Sequence, residues 1–199
     1  MTPRPPAVVL FDVMNTLVYD PIEREIPDFF ELSLDELYAT KHPDAWPRFE
    51  RGEISETTFY DIYLPDRSER IDGDRFRELL RDAYRWLEGM ESIVATLANA
   101  GVSLHAFSNY PVWYRIIDDK LDLSRYLSWT FVSCNTGCRK PNDEAYRRVV
   151  TTLDTAPESC LFVDDRRINC DAARKFGFRT ICFEGTDPLV EALQRQGLM

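Results

Sequence analysis

Four apolar residues in a row, Val8 to Phe11, open the hydrophobic pattern of the chain. A run this short and unbroken predicts a parallel strand buried on both faces, turning at the carboxylate that follows it, Asp12. From Asp20 to Leu87 the spacing becomes helical, and nothing there reads as a strongly buried strand. Ser33 with Glu36 has the spacing of a capping box ahead of Leu37 and Tyr38, and Ser55 precedes a helix carrying Phe59, Tyr60 and Ile62. Asp72 precedes a third, with Phe76, Leu79, Leu80, Ala83 and Leu87 on one stripe. Beyond Gly89, helix and strand alternate. A helix with Ile93, Val94 and Leu97 stops at Gly101, and a strand follows through Leu104, Ala106 and Phe107. Next come a strand near Trp129–Val132, a helix through Tyr146, Val149 and Val150, and a strand over Cys160–Val163. A helix over Asn169–Phe176, a strand over Thr180–Phe183 and a helix over Pro188–Gln196 complete the chain. The alternation predicts an α/β fold, a Rossmann-like parallel sheet with helices on both faces. Residues 1–19 and 88–199 form it, and 20–87 is a helical insertion.

The 199 residues suffice for one large domain or for a core with a small insertion. Lysine and arginine total 24 against 34 acidic residues, a net charge of −10, which argues against nucleic acid or an anionic membrane as partner. A small anion then needs a local positive site. No apolar run is long enough to span a membrane. Five cysteines, an odd number with no secretory signal ahead of the first strand, predict free thiols in a reducing compartment. Cys134 and Cys138 lie four apart without a second pair, a weak zinc pattern. The start, MTPRPPAVV, is too short for a transit peptide. The expected location is the cytoplasm, or the chloroplast stroma if a longer precursor was trimmed. Monomer and homodimer both stay open.

Ligands of open parallel sheets bind beyond the carboxyl ends of the strands. Those ends carry Asp12, then Ser108 and Asn109, then Arg139 and Lys140 after the third strand, then Asp164 and Asp165. A nucleophile, a hydroxyl and amide pair, a cation and a carboxylate pair suit phosphoryl transfer with Mg²⁺. The acid pair is the most telling, because adjacent like charges at a buried strand end repel unless a cation sits between them.

FDVMNTL, FSNY, RKP and FVDDRRIN resemble, in order and spacing, the four motifs of the haloacid dehalogenase-like hydrolases. The resemblance spans the whole chain and implies that 20–87 is the small helical cap inserted after the first motif. It implies Asp12 as nucleophile and metal ligand, with the Met14 carbonyl and Asp165 completing the protein's share of a Mg²⁺ site. Ser108 and Asn109 would bind phosphate, Lys140 would steady the nucleophile and the phosphoryl charge, Asp164 would pair with Lys140, and Asn169 would orient the acidic loop. The activity implied is phosphomonoester hydrolysis through an aspartyl-phosphate. One position departs: phosphatases of the family usually place a second Asp two residues after the nucleophile as acid and base, where this chain has Met14. Loss of such a group typically costs about 10²–10⁴-fold in rate. A binding protein without turnover is therefore the rival class, and a metal-independent dehalogenase a third reading.

FDVMNTLVYDP, KHPDAWPRFERGEI and HAFSNYPVWYRIIDDKLDLSRYLSWTF are similar to the flavin mononucleotide phosphatase branch found in plant chloroplasts. That likeness implies FMN as the phosphate ester, with sugar phosphates or nucleotides behind it, and implies that Met14 belongs to a working variant. Asn15 stands where the branch carries an Asp. Trp46, Phe49, Phe59 and Tyr60, with Tyr110, Trp113 and Tyr114, are available to flank a flat ring, but aromatics at helical spacing mostly bury one another. Tyr110 and Trp113 are the expected ring neighbours. His42 and His105 are expected to be structural, and the proton donor is left open.

Overall fold

The computed structural model describes residues 5–66 and 70–199. The first four residues of the N-terminal stretch lie outside the described residues. Five strands, β1 (Val8–Phe11), β2 (Ser103–Ser108), β3 (Ser128–Val132), β4 (Cys160–Asp164) and β5 (Arg179–Cys182), form one parallel sheet in the order β3-β2-β1-β4-β5. The chain moves outward from β1 on one side through β2 and β3, then crosses to the other through β4 and β5. The reversal falls beside β1, so the crevice that such a switch opens lies at the end of the strand that delivers Asp12.

Burial on both faces explains why β1 has no polar alternation. Val9 and Phe11 join one apolar cluster with Leu161 and Val163, covered by helices α6 (Met90–Asn99), α7 (Tyr114–Leu121) and α11 (Thr186–Arg195). Val8 and Leu10 join the other with Phe107, Phe131 and Phe162, covered by α9 (Asp143–Leu153) and α10 (Arg167–Phe176). Phe11 and Leu10 are fully enclosed, and each such side chain contributes about 1.5–3 kcal/mol over an exposed one.

Between β1 and α6 lie α1 (Glu25–Phe29), α2 (Leu34–Thr40), α3 (Ala45–Glu50), α4 (Glu56–Ile62) and α5 (Gly73–Ala83). The three caps read from the sequence are present. Ser33 and Glu36 satisfy each other's backbone N–H, Ser55 accepts from the Thr58 N–H, and Asp72 accepts from those of Asp74 and Arg75. Short α1, α3 and the single turn α8 (Ser133–Thr136) have too few residues for a period to emerge. Helix α5 stops at Ala83, so Leu87 lies beyond it, and α7 is a helix the pattern does not predict; other boundaries differ by a residue or two, as at α10, which starts at Arg167, and β5, which starts at Arg179.

Most of the inserted aromatics pack on one another. Phe49 stacks on Phe59 with centroids 4.6 Å apart, and Trp113, which follows β2, meets Phe49 edge-on at 4.8 Å. Trp113 thereby fastens the insertion to the sheet. So does Gly52, at φ 71°, where a Cβ would sit 2.4 Å from the Cys134 carbonyl oxygen. No other residue type fits that approach.

Candidate active site

Directly after β1 the backbone winds into a tight loop. The Val13 carbonyl accepts from the Leu17 and Val18 N–H groups at 2.8 Å, and the Asp12 N–H still donates to Val163 at 2.8 Å. Asn15 adopts the left-handed region at φ 55°, a conformation Asn tolerates better than most side chains. The loop thus holds Asp12 and Met14 at the sheet end with little freedom, both more than nine-tenths buried.

Lys140 is the cation that this buried acid requires. Its ammonium group donates to Asp12 Oδ1 at 2.9 Å, Asp164 Oδ2 at 2.7 Å and the Phe107 carbonyl at 2.6 Å, which uses all three of its hydrogens. It is 1 % exposed and lies over the rings of Phe107 and Phe162. Asn109 fixes it from behind: the Asn109 amide donates to the Lys140 carbonyl and accepts from the Lys140 N–H, both at 2.8 Å. Asn109, expected at phosphate, places the lysine in this way and also lines the same cavity as Asp12 and Ser108.

Asp164 is spent on structure. Besides Lys140 it accepts from the Arg166 N–H at 2.8 Å and from the Asn169 amide at 3.1 Å on both oxygens. Asn169 thus holds the Asp164 carboxylate in place. Asp165 is half-buried, and its N–H donates to Thr16 Oγ1 at 3.1 Å, tying the acid loop to the loop after β1. Asp12, Asp164 and Asp165 bring oxygens within 4.8 Å of one another. Three carboxylates against one ammonium leave two negative charges in excess. Burial first, with Asp164 and Asp165 adding to it against Lys140, pushes the Asp12 carboxyl up to about 8. Such a set of hard oxygens fits a small divalent cation such as Mg²⁺. Because Asp164 is filled by protein donors, Asp12 and Asp165 are the side chains left to hold it, with the Met14 main chain beside them.

Ser108 Oγ is 1 % exposed at residue level and has no hydrogen-bond partner among the described residues. An orphaned buried hydroxyl is costly unless something else accepts its proton. It faces the same cavity of about 290 Å³ as Asp12, Met14, Lys140 and Asp165. Tyr110 lines it too, but its hydroxyl is paired with that of Tyr84 at 2.6 Å, and burial raises it well above the usual tyrosine range.

The insertion supplies the other wall, much of which sequence patterning missed. Tyr38, Lys41, Trp46, Glu50 and Tyr63 line the cavity, together with Asp20 from the turn after β1. Of the aromatics considered for a ring, Trp46 and Tyr110 reach it, whereas Phe49, Phe59, Tyr60, Trp113 and Tyr114 do not line it. Tyr38 is 51 % exposed at the rim. Glu50 is paired with Arg139 at 2.5 Å and accepts from Trp46 at 2.9 Å. Only folding brings these positions to the strand ends, so no local motif marks them. Both histidines are placed structurally: His105 meets Thr130 at 2.8 Å and Ser103 at 3.1 Å, and His42 accepts from the Asp44 N–H at 3.1 Å. The five cysteines are free thiols. No helix of the described residues is long and apolar enough to cross a membrane.

Residues 6–177 match the family model of the haloacid dehalogenase-like hydrolases. Flavin mononucleotide hydrolase 1 of Arabidopsis thaliana, named as a chloroplast protein, is 42% identical over 191 residues, which is 96% of this chain and 78% of that protein. Among solved structures, a haloacid dehalogenase-family enzyme of Bacteroides thetaiotaomicron superposes with a TM-score of 0.79 at 16% identity, covering 92% of this chain and 97% of that one. The same enzyme with magnesium and inorganic phosphate superposes with a TM-score of 0.73 at 17% identity, covering 87% and 91%. That likeness is one of fold. On the family match and the long alignment with the Arabidopsis protein, this chain belongs to the haloacid dehalogenase-like hydrolases.

Proposed function

We propose that the protein is a Mg²⁺-dependent phosphomonoester hydrolase whose preferred ester is FMN, cleaved to riboflavin and phosphate. One observation carries the reading: an acid held by a buried lysine shares a cavity with a second, half-buried acid and a buried hydroxyl that has no partner among the described residues. A nucleophile, a hard-cation site and a phosphate donor are what phosphoryl transfer requires. Mg²⁺, when bound by Asp12 and Asp165 with the Met14 main chain, supplies positive charge that offsets the phosphate oxygens.

In this reading Ser108 donates to a phosphate oxygen, and Lys140 aims Asp12 while opposing the negative charge that gathers there. An Asp12 oxygen attacks phosphorus in line, the bond to the ester oxygen breaks, and an aspartyl-phosphate results. Water then attacks phosphorus and restores the Asp12 carboxylate. Residues 20–87 act as the cap, which excludes bulk water over the reacting atoms.

The choice of FMN is supported by the name of the Arabidopsis relative and by the cavity wall. Some 290 Å³ lies at the lower edge of ligand cavities, enough to enclose the phosphate end, so a larger ring extends toward the rim. There Tyr38 and Trp46 offer flat faces and Lys41 a cation. A chloroplast location belongs to the same reading. Phosphate release from FMN, sugar phosphates and nucleotides, with Mg²⁺ and with chelator, tests it. Metal-dependent release fastest with FMN is expected. Release favouring another ester discards the substrate, while ligand-induced stabilisation with no release from any ester makes the protein a binder.

A further inference from the structure

Met14 carries no proton, yet expelling an alkoxide calls for one. The cavity is lined by an acid outside the strand ends that has one carboxylate oxygen without a partner among the described residues. Asp20 lines it from the first turn after the Asp12 loop. Its Oδ1 accepts from the Ile22 N–H at 3.0 Å, capping the short helix Pro21–Glu23, and its Oδ2 has no partner among the described residues. Its own N–H donates to Asn15 Oδ1 at 3.3 Å, so the residue next to Met14 sets where the Asp20 backbone stands. Pro21, whose ring fixes φ, follows it and limits its freedom further. Glu50 is the competing acid in the cavity, but Trp46 donates to its Oε2 and Arg139 forms an ion pair at its Oε1, which opposes its taking up a proton although Oε1 has no hydrogen-bond partner among the described residues.

We propose that Asp20 is the general acid and base of this site, doing from the next turn what Met14 does not. The inference rests on the phosphatase reading. In the first half, Asp12 bonds to phosphorus, the ester P–O bond breaks, and the Asp20 carboxyl proton passes to the departing oxygen, which leaves as an alcohol. In the second half, water bonds to phosphorus, its proton passes to the Asp20 carboxylate, and the bond from phosphorus to Asp12 breaks. Asp20 is back in its starting form and inorganic phosphate departs. The surroundings suit both halves. Burial, with the charges of Asp165, Glu23 and Glu25 adding to it against the Ile22 N–H, raises the carboxyl to about 6. The hydroxyls of Tyr84 and Tyr110 are the other titratable groups whose charge Asp20 influences. A pair of forms interconverting near neutrality is what a residue that first gives and then takes a proton needs.

The test is single-turnover kinetics of Asp20→Asn, with enzyme in excess, on an alkyl phosphate (FMN) and an aryl phosphate (p-nitrophenyl phosphate). Asparagine keeps an oxygen for the Ile22 N–H, so the fold is preserved, and Asp20→Ser serves the same purpose should the first variant unfold early. Nitrophenolate leaves without a proton. Ester cleavage is therefore expected to slow about 10²–10⁴-fold with FMN but less than about 10-fold with the aryl ester. Steady-state turnover falls with both, since water still needs its base, and the aryl ester shows a burst. Asp20→Glu recovers part of the FMN rate. An equal slowing on both esters overturns the assignment to Asp20. If the wild-type protein cleaves neither ester, the phosphatase reading fails instead.

Discussion

Replacing Lys140 by methionine keeps the length and apolar stem of the side chain but deletes the ammonium that meets Asp12, Asp164 and the Phe107 carbonyl. The three acids then face one another with no cation from the protein. Removing one partner of a buried ion pair typically costs about 3–5 kcal/mol. For a chain of this size each kcal/mol moves the thermal midpoint about 2–4 °C, so a drop of roughly 6–20 °C is expected in metal-free buffer. The loss also depends on pH, in a direction the structure fixes. An acid whose folded-state pKa is raised binds more protons folded than unfolded, so stability falls as pH rises between its unfolded and folded values. For Asp12 that window runs from 3.8 to about 8, and Lys140 is the main influence narrowing it. Without Lys140 the folded value rises further and the window extends upward, so the deficit of the variant is nearly constant below pH 7 and grows as pH passes through about 8, from pH 7 to pH 9. Thermal unfolding followed by circular dichroism at both pH values reads this directly. A midpoint within about 2 °C of wild type at pH 9 would refute the claim that Lys140 compensates the acid cluster.

Three further outcomes follow from the same geometry. Ser108→Ala removes a buried hydroxyl without a partner, so stability stays level or rises slightly while inorganic phosphate binds more weakly; a stability loss above about 1 kcal/mol in urea unfolding, with phosphate affinity unchanged, contradicts the placement. Mg²⁺ at about 100 times its dissociation constant stabilises by about 2.7 kcal/mol. The gain is larger at pH 8 than at pH 5, because the Asp12 carboxyl, raised to about 8, holds its proton against the metal at low pH; fluorimetric melts giving the same gain at both pH values speak against it. Tyr38→Ala, at an exposed rim position, leaves stability within about 0.5 kcal/mol. It raises KM about 5–10-fold for FMN but not for a small alkyl phosphate, in line with about 1 kcal/mol for one aromatic contact; equal changes on both esters remove the rim from ring recognition.

The sheet and its strand ends were legible because burial on both faces writes itself as continuous apolar runs. Val8–Phe11 and Cys160–Val163 required no knowledge of their neighbours, and the carboxylates that follow them are costly unless a site uses them. The caps at Ser33, Ser55 and Asp72 were legible for a similar reason, since a side-chain oxygen three residues from its target is a local fact. The work of Asn109 was not, because the Lys140 peptide that it clamps lies 31 residues away. Nor was the far wall of the cavity. Tyr38, Lys41 and Glu50 sit on short helices whose outward faces look alike in sequence, and only the packing of Trp113 and Gly52 against the sheet turns those faces to the strand ends. Asp20 was only a boundary in the sequence, and its capping of Pro21–Glu23 with one oxygen left over shows only in three dimensions.

The central claim is that Asp12 takes up the phosphoryl group. It is tested most directly by acid-quenching the wild-type protein during turnover of FMN with Mg²⁺ and locating the phosphoryl adduct by peptide mass spectrometry. The account predicts an adduct on Asp12, lost in Asp12→Asn together with phosphate release. An adduct on another residue, or FMN turnover undiminished in Asp12→Asn, would contradict it.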